Sequence, residues 1–238
     1  MATIAVIGLG NFGCRITEEL IEANADLIIL DKDREIIEKY KNSVLNAFIT
    51  DAINEETLRK VVPPDVDAAI VDLGNLLETS ILVTSHLKKI GVKQIIVKAR
   101  NEDHGEILKL VGATKIVFPD LDAAVHLTPL LLHTTLFNFM QLSENFAIAE
   151  VAVLSELEGK TLVQSNLRQK YNLNVIGIRD SNLLDIQTPS PDTIITKEMI
   201  LLVSGSNESI NAYTEIHQEL KEKSKNNNIF NRLLRRQK

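Results

Sequence analysis

Residues 4–13 read IAVIGLGNFG, in which a short apolar run leads into Gly8, Gly10 and Gly13 with the spacing G-x-G-x-x-G. Such a run predicts a buried strand, and the residues after it have the periodicity of a helix. Gly8 permits a tight bend, Gly10 lets the backbone approach a pyrophosphate, and Gly13 lets the helix pack close to the strand. The helix N-terminus offers free N–H groups and a positive dipole end to phosphate. The segment therefore predicts a dinucleotide-binding turn.

An acidic residue follows this turn at the distance that ribose binding requires. Asp31 ends the second apolar run, 18 residues after Gly13, where a carboxylate reaches a pair of ribose hydroxyls and disfavours the 2′-phosphate of NADP. The segments TDA (50–52) and DLGN (72–75) follow the third and fourth runs, at strand ends where open α/β sheets bind ligands. Gly74 is either a point of close approach to the ligand or an ordinary turn glycine.

Six apolar runs alternate with helical patterns over residues 1–120. The runs are rich in Ile and Val, as buried parallel strands are, and read TIAVIG, DLIILD, NAFIT, AAIVDL, QIIVKA and KIVFP. The segments between them carry apolar residues at steps of three and four, and Gly91 is placed to end one of the helices. The pattern predicts an α/β fold with a doubly wound Rossmann parallel sheet.

The pattern changes after residue 120. Residues 121–142 are apolar almost all round, and we expect a linker helix, kinked or restarted at Pro129, that packs on a second subunit. Residues 145–222 then predict a small α+β domain. Its expected strands are FAIAEVAVL, NVIGIRD, LLDIQTP and MILLVSGS, with a helix in LVQSNLRQKYN and a last helix after an N-cap at Ser206 or Asn207.

Composition narrows the class of protein. The net charge is −6, yet the residues from Lys221 onward hold seven Lys or Arg and one Glu, so the rest of the chain is near −12. An acidic body argues against nucleic acid as the main partner. The basic tail, residues 223–238, is either a fraying, solvated terminus or a contact with an acidic membrane surface or membrane-protein partner. No apolar run reaches the roughly 18 to 20 residues of a membrane span, and no signal pattern is present, so we expect a cytosolic protein.

The sequence lacks the usual signs of catalysis. Five histidines are scattered at His86, His104, His126, His133 and His217, without a metal-ligand or nucleophile pattern, and Cys14 is the single cysteine. Two rival classes are a small NAD-dependent oxidoreductase and a redox-sensing DNA-binding repressor. The first needs a proton-transfer residue beside the nicotinamide, and the second a basic winged-helix segment; the sequence presents neither.

Taken together, the glycine turn, Asp31, TDA, DLGN, the segment IIVKARNEDHGEILKLVGATKIVFPD and the small C-terminal domain resemble the RCK family. These proteins are the cytosolic regulatory subunits of bacterial potassium-uptake systems of the KtrA and TrkA type. The resemblance covers residues 1 to about 220 and implies a non-enzymatic gating subunit. It implies a homodimer that assembles into a homo-octameric ring on the inner face of the membrane, beneath a potassium-translocating subunit of the KtrB or TrkH type.

The resemblance also implies a nucleotide, ATP or ADP or alternatively NAD(H), in the first domain. Asn11 stands where close relatives often carry Arg, which leaves NAD or AMP-like ligands open. Asp120 matches an acid that some members use to hold a cation, here Mg²⁺, Ca²⁺ or Na⁺, at the dimer interface. The implied nucleotide-binding residues are Gly8, Gly10, Asn11, Phe12, Gly13, Asp31, Lys32, Asp51, Ala52, Gly74, Lys98 and Arg100.

A second ligand is implied for the C-terminal domain. NLRQKYNLNVIGI and QTPSP match the segment that binds cyclic di-AMP in KtrA-type members, and TrkA-type members lack this response. The implied residues are Leu167, Arg168, Asn174, Val175, Ile176 and Pro189. Arg168 would face a phosphate, while the alternative interpretation is an ordinary helix end before a strand.

Overall fold

The computed structural model describes residues 2–183 and 185–216. They fall into two compact units, Met1–Leu121 and Asp122–Lys238. The predicted basic tail at residues 223–238 and His217 lie outside the described residues.

The first unit is a six-stranded parallel sheet in the order β3-β2-β1-β4-β5-β6, which confirms the predicted Rossmann topology. Its strands are β1 (Thr3–Ile7), β2 (Asp26–Asp31), β3 (Asn46–Ile49), β4 (Ala68–Val71), β5 (Ile95–Lys98) and β6 (Lys115–Val117). The helices between them are α1 (Asn11–Glu22), α2 (Arg34–Tyr40), α3 (Glu55–Val61), α4 (Leu77–Ile90) and α5 (Glu102–Val111). The strand order reverses between β1 and β4, and the glycine turn leaves the sheet at that point.

Apolar side chains bury both faces of this sheet. On one face, Leu58 of α3, Leu87 of α4 and Leu108 of α5 pack on β-strand residues such as Ile7. On the other face, side chains of α1 and α2, including Ile37, pack on the alternate strand residues. Because both faces are covered, the strands are apolar on both sides, as their sequences predict.

Polar residues fix the ends of several helices. The side chains of Asp33, Asn54 and Asn101 accept hydrogen bonds from the first-turn amides of α2, α3 and α5. Helix α4 ends at Gly91, whose φ of 103° is left-handed, and this confirms the predicted stop.

The second unit contains an antiparallel sheet in the order β7-β8-β10-β9. Its elements are β7 (Leu136–Ser143), β8 (Phe146–Ala152), a 3₁₀ turn (Ser155–Leu157), α7 (Leu162–Ser165), α8 (Leu167–Tyr171), β9 (Asn174–Asp180), β10 (Met199–Ser206) and the helix at residues 207–216. Leu154, Leu157, Ile210 and Tyr213 are fully or almost fully buried against this sheet. The predicted small α+β domain is confirmed, and Ser206 caps the last helix by accepting a hydrogen bond from the Ser209 amide at 3.1 Å.

The helix predicted over residues 121–142 is wrong in its second half. Helix α6 (Pro119–Leu132) contains Pro129 and ends three residues later, and residues 136–143 form strand β7 instead. The aromatic and β-branched residues in TTLFNF favour an extended chain, and the short turn at residues 143–146 pairs β7 with β8 as a hairpin. Because the segment is apolar almost all round, its periodicity alone could not separate helix from strand.

A second expected strand does not form. Around LLDIQTP, residues 183–189 apart from residue 184, one isolated bridge joins Gln187 to Ile178. Pro189 lacks an N–H group, which prevents a regular ladder at this end of the segment. The chain follows β9 as a loop, and the Ile186 side chain covers Gly177 of that strand.

Among the described residues, no helix combines the length and the hydropathy of a membrane span.

Candidate functional site

A cleft of about 490 Å³ opens at the carboxyl ends of β1, β2 and β4, directly beside the glycine turn. This is the edge of a doubly wound sheet at which ligands bind. The residues that line it are Gly8, Leu9, Gly10, Leu30, Asp31, Lys32, Asp33, Ile36, Thr50, Asp51, Ala52, Asp72, Leu73, Gly74, Leu76 and Thr79.

Each of the three glycines in the turn is in close contact with other protein atoms. Gly8 has a left-handed φ of 85°, and a Cβ atom there would lie 2.1 Å from the carbonyl oxygen of Asp72. A Cβ atom on Gly10 would lie 2.6 Å from Oδ2 of Asp72, and one on Gly13 would lie 2.3 Å from the carbonyl oxygen of Gly8. Neighbouring protein atoms therefore exclude side chains at all three positions before any ligand binds.

Asp31, which was predicted to bind ribose, is itself held in place by hydrogen bonds, one of them from the glycine turn. Its Oδ2 accepts a hydrogen bond from the Leu9 amide at 2.6 Å, and its Oδ1 accepts one from the Asp33 amide at 2.8 Å. An ionised carboxylate has about four acceptor positions, so two remain for ribose hydroxyls. Asp31 thus fixes the orientation of the glycine turn and also faces the cleft.

Asp72 is a residue of the site that sequence reasoning missed. Its carboxylate is fully buried, and its Oδ2 accepts a hydrogen bond from the Gly13 amide at 2.9 Å. Its Oδ1 accepts a longer bond from the Gly74 amide at 3.3 Å and lies 3.6 Å from Nζ of Lys98. The sequence contains a signal for this role, because a carboxylate follows β4 directly, where the strand order reverses. The interpretation of DLGN considered Gly74 and not this carboxylate.

The structure brings together seven of the twelve predicted nucleotide-binding residues. Those that line the cleft are Gly8, Gly10, Asp31, Lys32, Asp51, Ala52 and Gly74. Asn11, Phe12 and Gly13 begin α1 behind the turn, with Phe12 packed against the α1–α2 core. Lys98 is paired with Asp72, and Arg100 is exposed at the end of β5, away from the lining.

His104 ties α4, α5 and the end of β5 together next to the site. Its Nδ1 accepts a hydrogen bond from the Arg100 amide at 3.2 Å, so Nε2 carries the proton in the neutral ring. The Nε2–H group then donates a hydrogen bond to Ser80 Oγ at 2.9 Å. The Ser80 hydroxyl in turn donates to the carbonyl of Leu77 at 2.8 Å. Burial lowers the pKa of His104 below its ordinary value. The ring is therefore a neutral structural clamp.

A second cavity, of about 420 Å³, lies in the C-terminal unit around α7, α8 and the start of β9. Five of the six residues predicted for the second ligand line it: Leu167, Arg168, Asn174, Val175 and Pro189. Ile176 is 43% exposed and does not line it. Asn166 and Asn172 adopt left-handed φ values of 50° and 55° at the two ends of α8, which sets the short helix that carries Arg168 at the cavity.

Asp120, the predicted cation ligand, is exposed in the first turn of α6. Within residues 2–183 and 185–216, no group of three or more His, Cys, Asp or Glu side chains is arranged to hold a metal ion. Among these residues, Asp120 is therefore not part of a group of three or more such side chains.

Helix α6 presents apolar side chains that the described residues leave exposed. It has no buried residue, and Leu121, Val125, Leu127 and Leu131 are 46–82% exposed. Leu136, by contrast, is 4% exposed and belongs to the core of the second unit, so it is not part of this surface.

Comparison with known proteins identifies the family. Residues 4–119 match the TrkA-N domain, and residues 146–218 match the TrkA-C domain. The chain is 34% identical to Ktr system potassium uptake protein C of Bacillus subtilis (strain 168), over 85% of this chain and 91% of that protein. The chain belongs to the RCK family, with a TrkA-N and a TrkA-C domain.

A second relative of this RCK protein agrees in extent, and a solved structure agrees in fold. Ktr system potassium uptake protein A of Bacillus subtilis (strain 168) is 29% identical over 88% of this chain and 94% of that protein. The structure of the GsuK channel bound to NAD is similar with a TM-score of 0.60 at 18% identity, covering 87% of this chain and 38% of that chain. The likeness to GsuK bears on the fold alone.

Proposed function

We propose that this RCK protein is the regulatory subunit of a potassium-uptake system and gates a membrane-embedded potassium-translocating partner of the KtrB or TrkH type. The observation that carries the proposal is the match to Ktr potassium uptake proteins, which includes both domains in order and 91–94% of those proteins' lengths. In this proposal the protein acts at the cytoplasmic face of the membrane and is held there by its partner.

The proposed signal in the first unit is an adenine nucleotide, ATP or ADP or NAD(H). The cleft lies at the reversal of strand order, beside a glycine turn, with the Asp31 carboxylate available to ribose hydroxyls. A structural neighbour, the GsuK channel, has been solved with NAD. The Gly10, Asn11 and Phe12 amides at the start of α1 make no hydrogen bond within the described residues, which leaves them for a ligand.

We propose binding rather than catalysis at this cleft. Within the described part of the chain, its lining contains no His, which is the commonest general acid or base, and no Cys or Tyr; its titratable side chains are Lys32 and four aspartates. His104, the buried histidine near β5, has both ring nitrogens engaged by protein groups. The rival NAD-dependent oxidoreductase predicts turnover of the bound nucleotide, whereas the gating subunit returns it unchanged.

The proposed ligand of the second unit is cyclic di-AMP. The second cavity joins an exposed guanidinium, that of Arg168, to apolar walls and the polar Asn174. A cyclic dinucleotide carries two phosphates about its own two-fold axis, so a symmetric dimer would offer one Arg168 to each. The guanidinium fork makes two parallel bonds to phosphate, which Lys cannot.

Dimers and an octameric ring complete the proposal. The exposed apolar residues of α6 would be covered in the dimer, since a contiguous apolar surface of this kind marks an interface. A cation such as Mg²⁺, Ca²⁺ or Na⁺ at Asp120 would need ligands from a second subunit or from the nucleotide.

The nucleotide site is tested by calorimetry with ATP, ADP, NAD and NADH on the wild type and Asp31→Asn, after mass spectrometry has identified any nucleotide that co-purifies. Asparagine is preferred to alanine because Asp31 also accepts the Leu9 and Asp33 amides, and Asn keeps one acceptor in place. Loss of a charged hydrogen bond predicts a 10- to 150-fold weaker affinity, about 1.5–3 kcal/mol. Unchanged affinity in a folded Asp31→Asn variant would refute the site.

The second site is tested by comparing Arg168→Ala with Lys170→Ala on the full chain. Lys170 is on the same helix α8 but pairs with Glu156 and does not line the cavity. We expect one cyclic di-AMP per two chains, a large loss of affinity in Arg168→Ala, and near wild-type affinity in Lys170→Ala. A dimeric wild type that does not bind cyclic di-AMP would contradict the proposal and favour a TrkA-type response with the nucleotide site alone.

A further inference from the structure

The nucleotide cleft is acidic, although the ligands proposed for it are anions. Its lining includes four carboxylates, Asp31, Asp33, Asp51 and Asp72, and one ammonium group, Lys32, for a formal charge of −3. Each phosphate that enters must overcome this field, which is strong in a partly enclosed site. The acidic lining therefore opposes highly charged nucleotides.

Asp72 is the carboxylate best placed to affect phosphates. It accepts the Gly13 amide at 2.9 Å, and Gly13 lies in the first turn of α1, where a phosphate would otherwise receive N–H groups. Its side chain is fully buried and fills the space beside Gly10, since a Cβ atom there would lie 2.6 Å from Oδ2. A negative charge thus already occupies part of the positive end of this helix.

Lys98 neutralises Asp72 only in part. Its ammonium group lies 3.6 Å from Oδ1 of Asp72, beyond direct hydrogen-bond distance, and its side chain is 21% exposed. A phosphate on the Gly10, Asn11 and Phe12 amides would compete with Asp72 for this cation. Each added phosphate would then have to share the Lys98 ammonium group with Asp72.

We infer that Asp72 sets the charge selectivity of the nucleotide cleft, holding down affinity for di- and triphosphates relative to ligands of low charge. The inference rests on the proposed nucleotide binding. In this inference the affinity comes from the nucleoside, including the ribose contacts at Asp31. The affinity should therefore increase little from AMP to ADP to ATP. NAD, whose nicotinamide ring offsets one phosphate charge, is then favoured over ADP.

The experiment measures dissociation constants of adenosine, AMP, ADP, ATP and NAD for the full-length protein, by calorimetry at fixed ionic strength with EDTA to remove divalent cations. The variant is Asp72→Asn, which keeps an acceptor for Gly13 and loses the charge. The matched control is Asp33→Asn, which removes a charge from the same lining without touching the glycine turn, because Asp33 caps α2. Circular dichroism establishes that each variant is folded.

We expect Asp72→Asn to bind ATP about tenfold or more tightly than the wild type, ADP somewhat less so, and adenosine unchanged. Asp33→Asn should change the dissociation constants of these ligands by a much smaller factor. A second variant, Lys98→Met, should weaken ATP binding selectively, because Asp72 is then left without its cation.

Four results would overturn the inference. An equal change for all five ligands would show that Asp72 acts through the fold, and weaker phosphate binding in Asp72→Asn would make it a supporting contact. An unaltered series in Asp72→Asn, with nucleotides still bound, would remove Asp72 from selectivity and leave the proposed function intact. Folded wild type and variant that bind none of the ligands would refute both.

Discussion

The close approach of Gly10 to Asp72 predicts a specific energetic coupling. Gly10 has φ −66° and ψ −172°, a conformation that alanine adopts without strain, so its backbone does not require glycine. The cost of Gly10→Ala must then come from the added Cβ atom, which would lie 2.6 Å from Oδ2 and 3.0 Å from Cγ of Asp72. That side chain is held by the Gly13 and Gly74 amides and cannot retreat easily. Overpacking of this kind costs about 1–3 kcal/mol.

A double-mutant cycle isolates this contact. In an Asp72→Ala background the overlapping oxygen atoms are absent, so Gly10→Ala should change the free energy of unfolding by less than about 0.5 kcal/mol. The coupling energy is then about 1–3 kcal/mol. Urea unfolding followed by circular dichroism gives the free energies, and hydrogen exchange at the β1 amides reports the first unit separately from the second. An equal cost of Gly10→Ala in both backgrounds would refute the assignment of the glycine requirement to Asp72.

Three further predictions concern other parts of the chain. Burial lowers the pKa of His104, so its contribution to stability is present above about pH 6.5 and is lost as the pH falls through the folded pKa. Between about pH 7 and pH 5, the midpoint of urea unfolding should therefore fall more in the wild type than in His104→Gln. Leu131→Asp should give a smaller assembly by light scattering, whereas Leu110→Asp, at an equally exposed leucine of α5, should not; a wild type that is monomeric at micromolar concentration contradicts this. Tyr213→Phe should destabilise the second unit by about 1–2 kcal/mol, measured by urea unfolding, because the hydroxyl accepts the Leu154 amide and donates to the Ala152 carbonyl.

Local periodicity was sufficient to predict the first unit. Its strands are continuous apolar runs between amphipathic helices, and glycines and cap residues mark the ends, so pattern and fold agree at every level. The same reasoning failed at residues 136–143, because they continue a segment that is apolar almost all round and whose pattern does not separate a helix from a strand. The pairing of β7 with β8 decided the outcome there, and the polar turn SEN between two runs rich in apolar residues is a hairpin signal that the sequence analysis did not use.

The candidate site was predicted in its outline but not in its internal contacts. The glycine turn and Asp31 follow from spacing along the chain, and both lie at the cleft. Asp72 is 59 residues from Gly13, and its role arises only when β4 is placed beside β1. Lys98 likewise faces Asp72 because β5 adjoins β4 in the sheet. Such contacts depend on the sheet order and are not written in any local motif.

Potassium flux tests the account most directly. The membrane-embedded partner would be reconstituted in proteoliposomes with this RCK protein, and potassium flux measured with and without ATP, ADP or NAD, for the wild type and Asp31→Asn. We predict that at least one nucleotide changes the flux with the wild type, that this nucleotide is recovered chemically unchanged, and that Asp31→Asn shifts the response to higher concentration. A flux that responds to none of the nucleotides while the wild-type protein is folded and bound to its partner would contradict the account.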